Sequence, residues 1–442
     1  MSKALPVQQA DIGKRPSESP GWRLLRTRDF SLLFWGQLTS QIGDSLNRVA
    51  LLWFVYQMTG SAMKMMVVGI LQTIPPLVLS PFIGVFIDRV DKKSIMVWVD
   101  LARTVLVLLI PLLYAFDLLT LDRLYASIFV LALVSTLFGP ALSAAVPQIV
   151  RRDQLTAANA LLQTTANTGL LIGPLISGVG IALVGPQHVL YVNAATFLIS
   201  ALCLIFIRFR PRATLSNAAM GRGRWNEDLM TGIRFVCVEH PTILKLMLAA
   251  ALYSLAASAF AFMLPVFAVH NLNAGALEIG MLWSALGAGM LVSSTWLASL
   301  AQGDLAGRFT LIFRSMLVGG FAMWGLSLLS TPLIAGALIL VVGGSTALFM
   351  PIMWGVLQEV IPDHLLGRVF ATFSISSMAS AMVGMAVFGW AADTMGPHVS
   401  LLGIGLVLLI GACVAGLCSR RCHLLTEACR IPLEQKTDIE AA

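Results

Sequence analysis

Long apolar runs separated by short polar stretches make up most of the chain. Each run has at least the length of about 20 residues that an α-helix needs to cross a bilayer, whereas the strands of a membrane β-barrel would show short segments of alternating character. The pattern therefore predicts an all-α membrane protein with twelve transmembrane helices. These are expected near residues 31–57, 62–86, 94–116, 124–148, 157–183, 188–208, 243–269, 275–300, 310–329, 333–359, 367–392 and 397–419.

Composition agrees with this prediction, since 57% of the 442 residues are hydrophobic, 12% are charged and the mean hydropathy is +0.85. A soluble fold of this length could not bury so much apolar surface. Residues 1–29 are polar, with no apolar core ahead of a cleavage site, so we expect no cleaved signal peptide. The six cysteines have no metal-ligand spacing, and we expect reduced thiols and no metal.

Basic residues predict the orientation, because short cytoplasmic loops retain Lys and Arg. Of the 29 basic residues, only Lys64 and Arg123 fall in the loops expected to face outward. Both chain termini are therefore expected in the cytoplasm, as an even number of helices requires. We attribute the net charge of +7 to contact with anionic membrane lipids and not to nucleic acid.

The two halves of the chain repeat each other. One constant offset aligns Gly69 with Gly280, Pro140 with Pro351, Gly173 with Gly384, Gly178 with Gly389, Gly185 with Gly396 and Pro186 with Pro397. Such a repeat predicts two pseudo-symmetric six-helix bundles with a substrate site between them. The expected division is a segment at 1–29, bundles at 30–208 and 243–419, a linker at 209–242 with an amphipathic helix at 225–237, and a tail at 420–442.

The first predicted helix has a polar face, and Asp44 lies deep within it. At about 1.5 Å per residue Asp44 is about 21 Å from Phe30, inside a hydrocarbon core about 30 Å thick. An ionised carboxylate there costs roughly 2.5–3.5 kcal/mol, and we expect Arg48, one helical turn further, to compensate at a separation of about 4 Å. Two interpretations stay open: a fixed salt bridge, or a proton-coupling site in which Asp44 binds and releases the proton.

Further polar and aromatic positions are candidates for a substrate cavity. The alternative for the polar ones is hydrogen bonding between helices, and aromatic residues such as Trp283 often serve only packing. The predicted cavity residues are Gln37, Gln41, Asn47, Asn159, Gln163, Asn167, Tyr253, Ser254, Ser258 and Phe262.

A charged hairpin between two apolar runs has the pattern Gly84-x-x-x-Asp88-Arg89-x-x-Lys92-Lys93. This pattern resembles the loop between the second and third helices of major facilitator superfamily transporters, although Asp91 stands where that family usually has glycine. The resemblance implies a gating motif on the inner side. Asp100 and Arg103, two turns into the third predicted helix, are expected to extend its charge network; a charge pair that only fixes the depth of the helix is the alternative.

A second resemblance lies in the fifth predicted helix, where Gly169, Gly173, Pro174 and Gly178 are similar to the motif of proton-coupled exporters of that superfamily. Close helix packing without any bearing on direction is the alternative. Other motifs, including Phe138-Gly-Pro140 and Pro362-x-x-x-x-Gly367-Arg368, resemble the bacterial branch with macrolide and siderophore (enterobactin-type) exporters. The arginine common in the family's fourth helix is absent.

Together these resemblances, which cover about residues 27–420, imply a secondary active transporter of the major facilitator fold. It would export small, largely apolar molecules of drug or siderophore type by alternating access, in exchange for protons. We expect a multi-pass monomer of the bacterial inner membrane, without a cofactor and without enzymatic activity. The alternatives are a lipid carrier of the same fold, such as a lysophospholipid flippase, and a transporter-like ligand sensor that signals through its cytoplasmic linker or tail.

Overall fold

The computed structural model describes residues 21–151, 154–209, 241–299, 305–328, 331–361 and 363–428, which are almost entirely helical. A short 3-10 helix, Gly21–Arg26, precedes the α-helices of these ranges. They are α1 Arg28–Thr59, α2 Ala62–Arg89, α3 Lys92–Ala115, α4 Leu121–Ser135, α5 Phe138–Ile149, α6 Leu155–Val184, α7 Pro186–Phe206, α8 Pro241–Leu272, α9 Ala276–Ser299, α10 Leu305–Leu328, α11 Pro332–Val360, α12 Asp363–Met395 and α13 Pro397–Ala428.

The predicted all-α membrane architecture is confirmed, and each predicted span corresponds to an observed helix or helix pair. Eleven spans in the described part of the chain are long and apolar enough to cross a membrane. Helix α1 is not among these eleven, because its polar face lowers its mean hydropathy. It nevertheless packs within the bundle like its neighbours, against α6 and α7, and completes the set of twelve.

The fourth span differs from the prediction, because a break at Thr136 and Leu137 divides it into α4 and α5. Pro140 has no N–H for the Thr136 carbonyl, so the regular helical hydrogen bond cannot form there. The Thr136 hydroxyl bonds back to the Ala132 carbonyl at 2.7 Å, and the Leu137 N–H bonds to the Val134 carbonyl at 3.3 Å. The break places polar backbone groups inside the first bundle.

The helices pack into two groups that meet along two seams. In the first group α1 contacts α6 and α7, and α3 contacts α7; in the second, α8 contacts α12 and α13, and α10 contacts α13. The seams between the groups are α6 against α9 and α2 against α12. In the sequence repeat α6 corresponds to α12 and α9 corresponds to α2. The two seams are therefore equivalent contacts, as expected for two copies of one bundle.

The glycines of the sequence repeat occupy equivalent contacts in this arrangement. A Cβ on Gly178 would lie 2.6 Å from the Ala276 carbonyl oxygen on the α6–α9 seam, and a Cβ on Gly389 would lie 2.6 Å from the Met66 side chain on the α2–α12 seam. Gly185 and Gly396 form the same turn, with φ angles of 87° and 90° that favour glycine. The repeat is therefore structural and not a coincidence of composition.

The two groups share a hydrophobic core at the side predicted to face outward. One core combines buried residues of the first group near that side, such as Leu52, Met66 and Val189, with residues of the second group such as Phe267 and Met385. The other side of the first group, around Phe30, has a separate core made of first-group residues only among those described. The halves are thus joined at the predicted outer side.

Asp393, near the end of α12, reinforces this closure by capping the beginning of α2. Its Oδ1 accepts the Ala62 N–H at 2.6 Å and its Oδ2 accepts the Met63 N–H at 3.2 Å. The Ser61 hydroxyl also donates to Oδ2. A carboxylate at a helix N-terminus is favoured by the helix dipole and satisfies free N–H groups, so Asp393 stabilises the outer-closed arrangement.

Two expectations concern residues outside the described ranges. The amphipathic helix at 225–237 lies there, and so does most of the linker at 209–242. The domain boundaries, including those of the segment at 1–29 and the tail at 420–442, stay predictions.

Candidate functional site

Four polar residues of α1 line a cavity of about 760 Å³ that is bounded mainly by the first group: Gln41, Asp44, Asn47 and Arg48. Helices α2, α4, α5 and α12 complete its wall. The other lining residues are Gln72, Pro76, Ile83, Ile128, Leu131, Ala132, Ser135, Thr136, Gly139, Pro140 and Met378. The cavity extends from the middle of α1 towards the end of α2 that is predicted to lie at the cytoplasm.

Asp44 and Arg48 do not form the ion pair expected at about 4 Å. Within the described part of the chain, the Asp44 carboxylate has neither a hydrogen bond nor an ion pair. The Arg48 guanidinium instead lies over the ring of Trp283 on α9, with its carbon 5.9 Å from the ring centre. Spacing by one turn allows the two side chains to meet but does not force it, and here Arg48 extends towards the other group.

Asp100 and Arg103 of α3 form a buried ion pair with an N–O distance of 3.5 Å. Asp100 is fully buried and Arg103 is 6% exposed, so this pair lies inside the first group and not in the surface hairpin. The Arg103 Nε–H donates to the Ser135 hydroxyl at 2.8 Å, and a second N–H donates to the Ser135 carbonyl at 3.2 Å. The guanidinium also lies over two rings, those of Phe138 and Phe197.

The buried Asp100–Arg103 pair lies within electrostatic range of Asp44 in the cavity wall. Asp44 lies within electrostatic range of Arg103 as well as of Arg48, and it also acts on Asp100. The Asp100 oxygens have no hydrogen bond of regular geometry in the described structure, and the Ser200 hydroxyl is the nearby side-chain donor. The Asp44 and Asp100 carboxylates and the Arg103 guanidinium thus lie close enough to interact within the first group, where charges are weakly screened.

A second cavity, of about 350 Å³, lies at the junction of the two groups. Arg48 and Gln72 line both cavities and connect them. The remaining lining residues of the second cavity are Leu52, Gly69, Thr73, Ala257, Ser258, Ala261, Phe262 and Trp283.

The predicted cavity residues are divided by the structure. Gln41 and Asn47 line the larger cavity, and Ser258 and Phe262 line the smaller one. The other six line neither cavity: Gln37, Asn159, Gln163, Asn167, Tyr253 and Ser254.

Tyr253, one of these six, makes its contacts within the second group. Its hydroxyl donates to the Thr346 carbonyl at 2.9 Å, and its ring stacks on Phe349 with centres 4.1 Å apart. These contacts tie α8 to α11 within the second group. On α6, the Gln163 amide donates to the Asn167 side chain at 3.2 Å, a contact within one helix.

The glycine motif of α6 serves close packing against two different neighbours. A Cβ on Gly169 would lie 2.6 Å from the Gln41 carbonyl oxygen, and one on Gly173 would overlap Ser45, so both bring α6 against α1. Gly178 and the Pro174 carbonyl instead approach Gly280 on α9. The motif therefore contributes both to the wall behind Asp44 and to the seam between the groups.

In the predicted gating motif, the surroundings of Gly84 and the side chains of Asp88 and Arg89 lie outside the described part of the structure. Lys93 makes its contacts within the first group: its ammonium donates to the Ile205 and Ile207 carbonyls at 2.7 and 2.8 Å. A cation at the C-terminal end of α7 is favoured by the helix dipole. Lys93 therefore fastens α3 to α7.

Gln72 and Thr73 are cavity residues that were not anticipated. Both interrupt the apolar run of the second predicted helix, and this interruption was the available signal. Gln72 and Thr73 line a cavity together with Arg48 because of the way α1 and α2 are rotated about their axes, and a single sequence does not determine that rotation.

Comparison with known proteins adds relatives for most of the chain. The sequence model of a family described as transmembrane secretion effector matches residues 19–429. Multidrug efflux pump Tap of Mycolicibacterium fortuitum is 26% identical over 402 residues, covering 87% of this chain and 94% of that protein. Macrolide efflux protein A of Streptococcus pyogenes is 24% identical over 403 residues, covering 90% and 96%.

Solved structures with the same fold include two bacterial proteins of low sequence identity. A homologue of the human lysosomal transporter Spinster, in an inward-facing and occupied conformation, has a TM-score of 0.69 at 13% identity and covers 91% of this chain and 98% of its own. A homologue of the iron transporter ferroportin, in an inward-facing state, has a TM-score of 0.69 at 15% identity and covers 89% and 98%.

Proposed function

The chain belongs to the transmembrane secretion effector family of the major facilitator superfamily, and we propose that it exports small, largely apolar molecules across a bacterial inner membrane in exchange for protons. Efflux is supported by the relatives named as a multidrug efflux pump and a macrolide efflux protein. Drug-type molecules are therefore the first substrates to test, and siderophores the second.

The observation that carries the proton-exchange proposal is the state of Asp44. Its carboxylate lies midway along α1, lines the 760 Å³ cavity and has no direct partner in the described structure. An ionisable group inside a membrane is costly and usually functional. An unpartnered carboxylate can bind a proton without first breaking a salt bridge, so Asp44 is suited to carry the coupled proton.

The arrangement of the two halves fits one stage of alternating access. The halves share a core and the Asp393 cap at the predicted outer side, while the larger cavity extends towards the predicted inner side. In the proposed cycle a substrate enters this inward-facing cavity, the halves rock, and the outer contacts open. A proton then binds Asp44 from outside and is released to the cytoplasm when the outer side closes again.

The energetics of one exchanged proton are sufficient. A proton that moves down about 100 mV supplies roughly 2.3 kcal/mol, and each tenfold concentration gradient costs about 1.4 kcal/mol. An export gradient of about fiftyfold is thus possible.

A lipid carrier of the same fold would be favoured by a cavity that opens sideways to lipid between the halves. Among the described residues, an apolar cavity of about 560 Å³ lies between α9 and α11, within the second half and not between the halves.

Transport into inverted membrane vesicles tests the proposed function. Vesicles with the natural chain should accumulate a radiolabelled macrolide when their interior is acidic, and Asp44→Asn should lose at least about 90% of this gradient-driven uptake, since the amide cannot titrate. Asp122→Asn is the matched control, because Asp122 is an exposed carboxylate in the first turn of α4. Full gradient-driven uptake by Asp44→Asn would remove Asp44 from the coupling mechanism.

A further inference from the structure

Two residues that carry hydrogen-bond donors, one from each half of the molecule, line the smaller cavity. Arg48 enters it from α1, and Trp283 enters it from α9 with the guanidinium carbon 5.9 Å from its ring centre. This contact joins the halves at the point where the two cavities meet. Whatever binds there touches both halves at once.

Both donors lack an acceptor. Trp283 is 2% exposed and its indole N–H has no hydrogen-bond partner in the described structure. Arg48 has no hydrogen bond or ion pair there either. Indole and guanidinium groups only donate, and the buried indole N–H of Trp283 costs free energy as long as it has no partner. Both groups are therefore able to donate to a ligand.

The other polar groups of the lining are not bonded to these donors, since neither the Gln72 amide nor the Ser258 hydroxyl has a hydrogen bond in the described structure. The Thr73 hydroxyl donates to the Gly69 carbonyl at 2.7 Å, and the apolar side of the cavity is formed by Phe262 together with Leu52 and alanines. A ligand that complements this wall has an apolar body and an oxygen that accepts hydrogen bonds.

Charge balance selects the kind of oxygen. Arg48 is the one charged residue among those that line the smaller cavity, and Asp44 on the next turn of α1 balances it electrostatically. With Asp44 ionised, the pair is neutral overall, so a carboxylate or an ammonium group on the ligand would leave a net charge inside the membrane. An uncharged carbonyl oxygen satisfies the donors without that cost.

We propose that Arg48 and Trp283 form a subsite that binds an uncharged carbonyl oxygen, such as that of a ketone, ester or amide, while Phe262 contacts the apolar body of the same molecule. That this ligand is an exported substrate rests on the proposed export function. A volume of about 350 Å³ falls within the range of roughly 300–1,000 Å³ typical of small-molecule sites.

Matched ligands test the subsite without any gradient. Binding of 2-acetylnaphthalene and of 2-isopropylnaphthalene, which has the same shape without the oxygen, is measured by equilibrium dialysis against the full-length protein in lipid nanodiscs, with empty nanodiscs as the blank. The natural chain should prefer the ketone at least about tenfold. Because the ratio of affinities is compared between variants, partitioning of the ligands into lipid cancels.

The informative variant is Trp283→Phe, which removes the N–H but keeps an aromatic ring beneath Arg48. Its ketone preference should fall at least about threefold, and Arg48→Met should nearly abolish the preference. Trp53→Phe is the matched control, because Trp53 also has an unpartnered indole N–H but does not line this cavity. Thermal unfolding of each variant verifies that it is folded.

Equal preferences in Trp283→Phe and Trp53→Phe would overturn the proposal, and so would tighter binding of 2-naphthoate or of 2-naphthylmethylammonium than of the ketone. The outcome is separate from the proposed function. A carbonyl preference that depends on Trp283, together with unimpaired uptake by Asp44→Asn, would refute proton exchange at Asp44 and leave the subsite intact. The reverse combination would refute the subsite alone.

Discussion

Charged residues inside the first half have different partners, although the sequence places them at similar depths. Arg103 pairs with Asp100, Arg48 contacts Trp283, and Asp44 has no direct partner in the described structure. The depth of Asp44 follows from counting residues along a helix. Its partner does not, because residues one turn apart can meet or diverge according to what the neighbouring helices present.

The Asp100–Arg103 pair provides a test of how much a buried ion pair matters here. Arg103→Leu should lower the free energy of unfolding by about 3–5 kcal/mol, since it leaves the fully buried Asp100 without its counter-charge. The midpoint of thermal unfolding in detergent measures the effect. The double variant Asp100→Asn with Arg103→Leu should recover a large part of the loss, and an equal loss in both proteins would mean that packing against Phe138 and Phe197 matters more than charge.

Helix boundaries were largely predictable, because each apolar run has the length of one membrane crossing. The fourth span is the exception, since its break depends on Pro140 and on the back-bonded Thr136 hydroxyl, and proline in a membrane helix does not always interrupt it. The break matters for the site, because the Ser135 backbone and hydroxyl at the end of α4 accept Arg103.

The glycines of α6 allow a prediction for a single helix contact. Gly178→Ala should lower the free energy of unfolding by about 1–3 kcal/mol, because its methyl group would lie 2.6 Å from the Ala276 carbonyl oxygen. Gly355→Ala on α11 is the control, since a Cβ there meets no atom within 4 Å and alanine favours a helix. Thermal unfolding that is equally affected in both variants would contradict a close α6–α9 seam.

The whole molecule is two copies of one bundle closed at one side, and the sequence repeat predicted the two copies but not the closure. Four of the repeated glycines lie on the seams between the halves, namely Gly69, Gly178, Gly280 and Gly389, and their positions in the sequence do not indicate which side is closed. The shared core and the Asp393 cap show which side is closed. The sequence does not reveal this cap, because the partners of Asp393 on α2 are more than 300 residues away.

Asp393 should therefore bias the equilibrium between the outer-closed and outer-open states. Asp393→Asn removes a charged cap worth about 0.5–2 kcal/mol, which would raise the outer-open population severalfold. Spin labels on cysteines that replace Leu118 and Leu333, both exposed near the outer side, report this population as a longer distance component in a cysteine-free background. The same distance distribution in Asp393→Asn and in the Asp122→Asn control would show that the cap does not hold the outer side closed.

The central claim is that Asp44 carries the exchanged proton, and the most direct test is proton movement itself. In proteoliposomes with a trapped pH-sensitive dye, a macrolide gradient should drive proton flux in the opposite direction through the natural chain and the Asp122→Asn variant. Asp44→Asn should show no macrolide-driven proton flux above that of empty liposomes. Proton flux of natural size through Asp44→Asn would contradict the account.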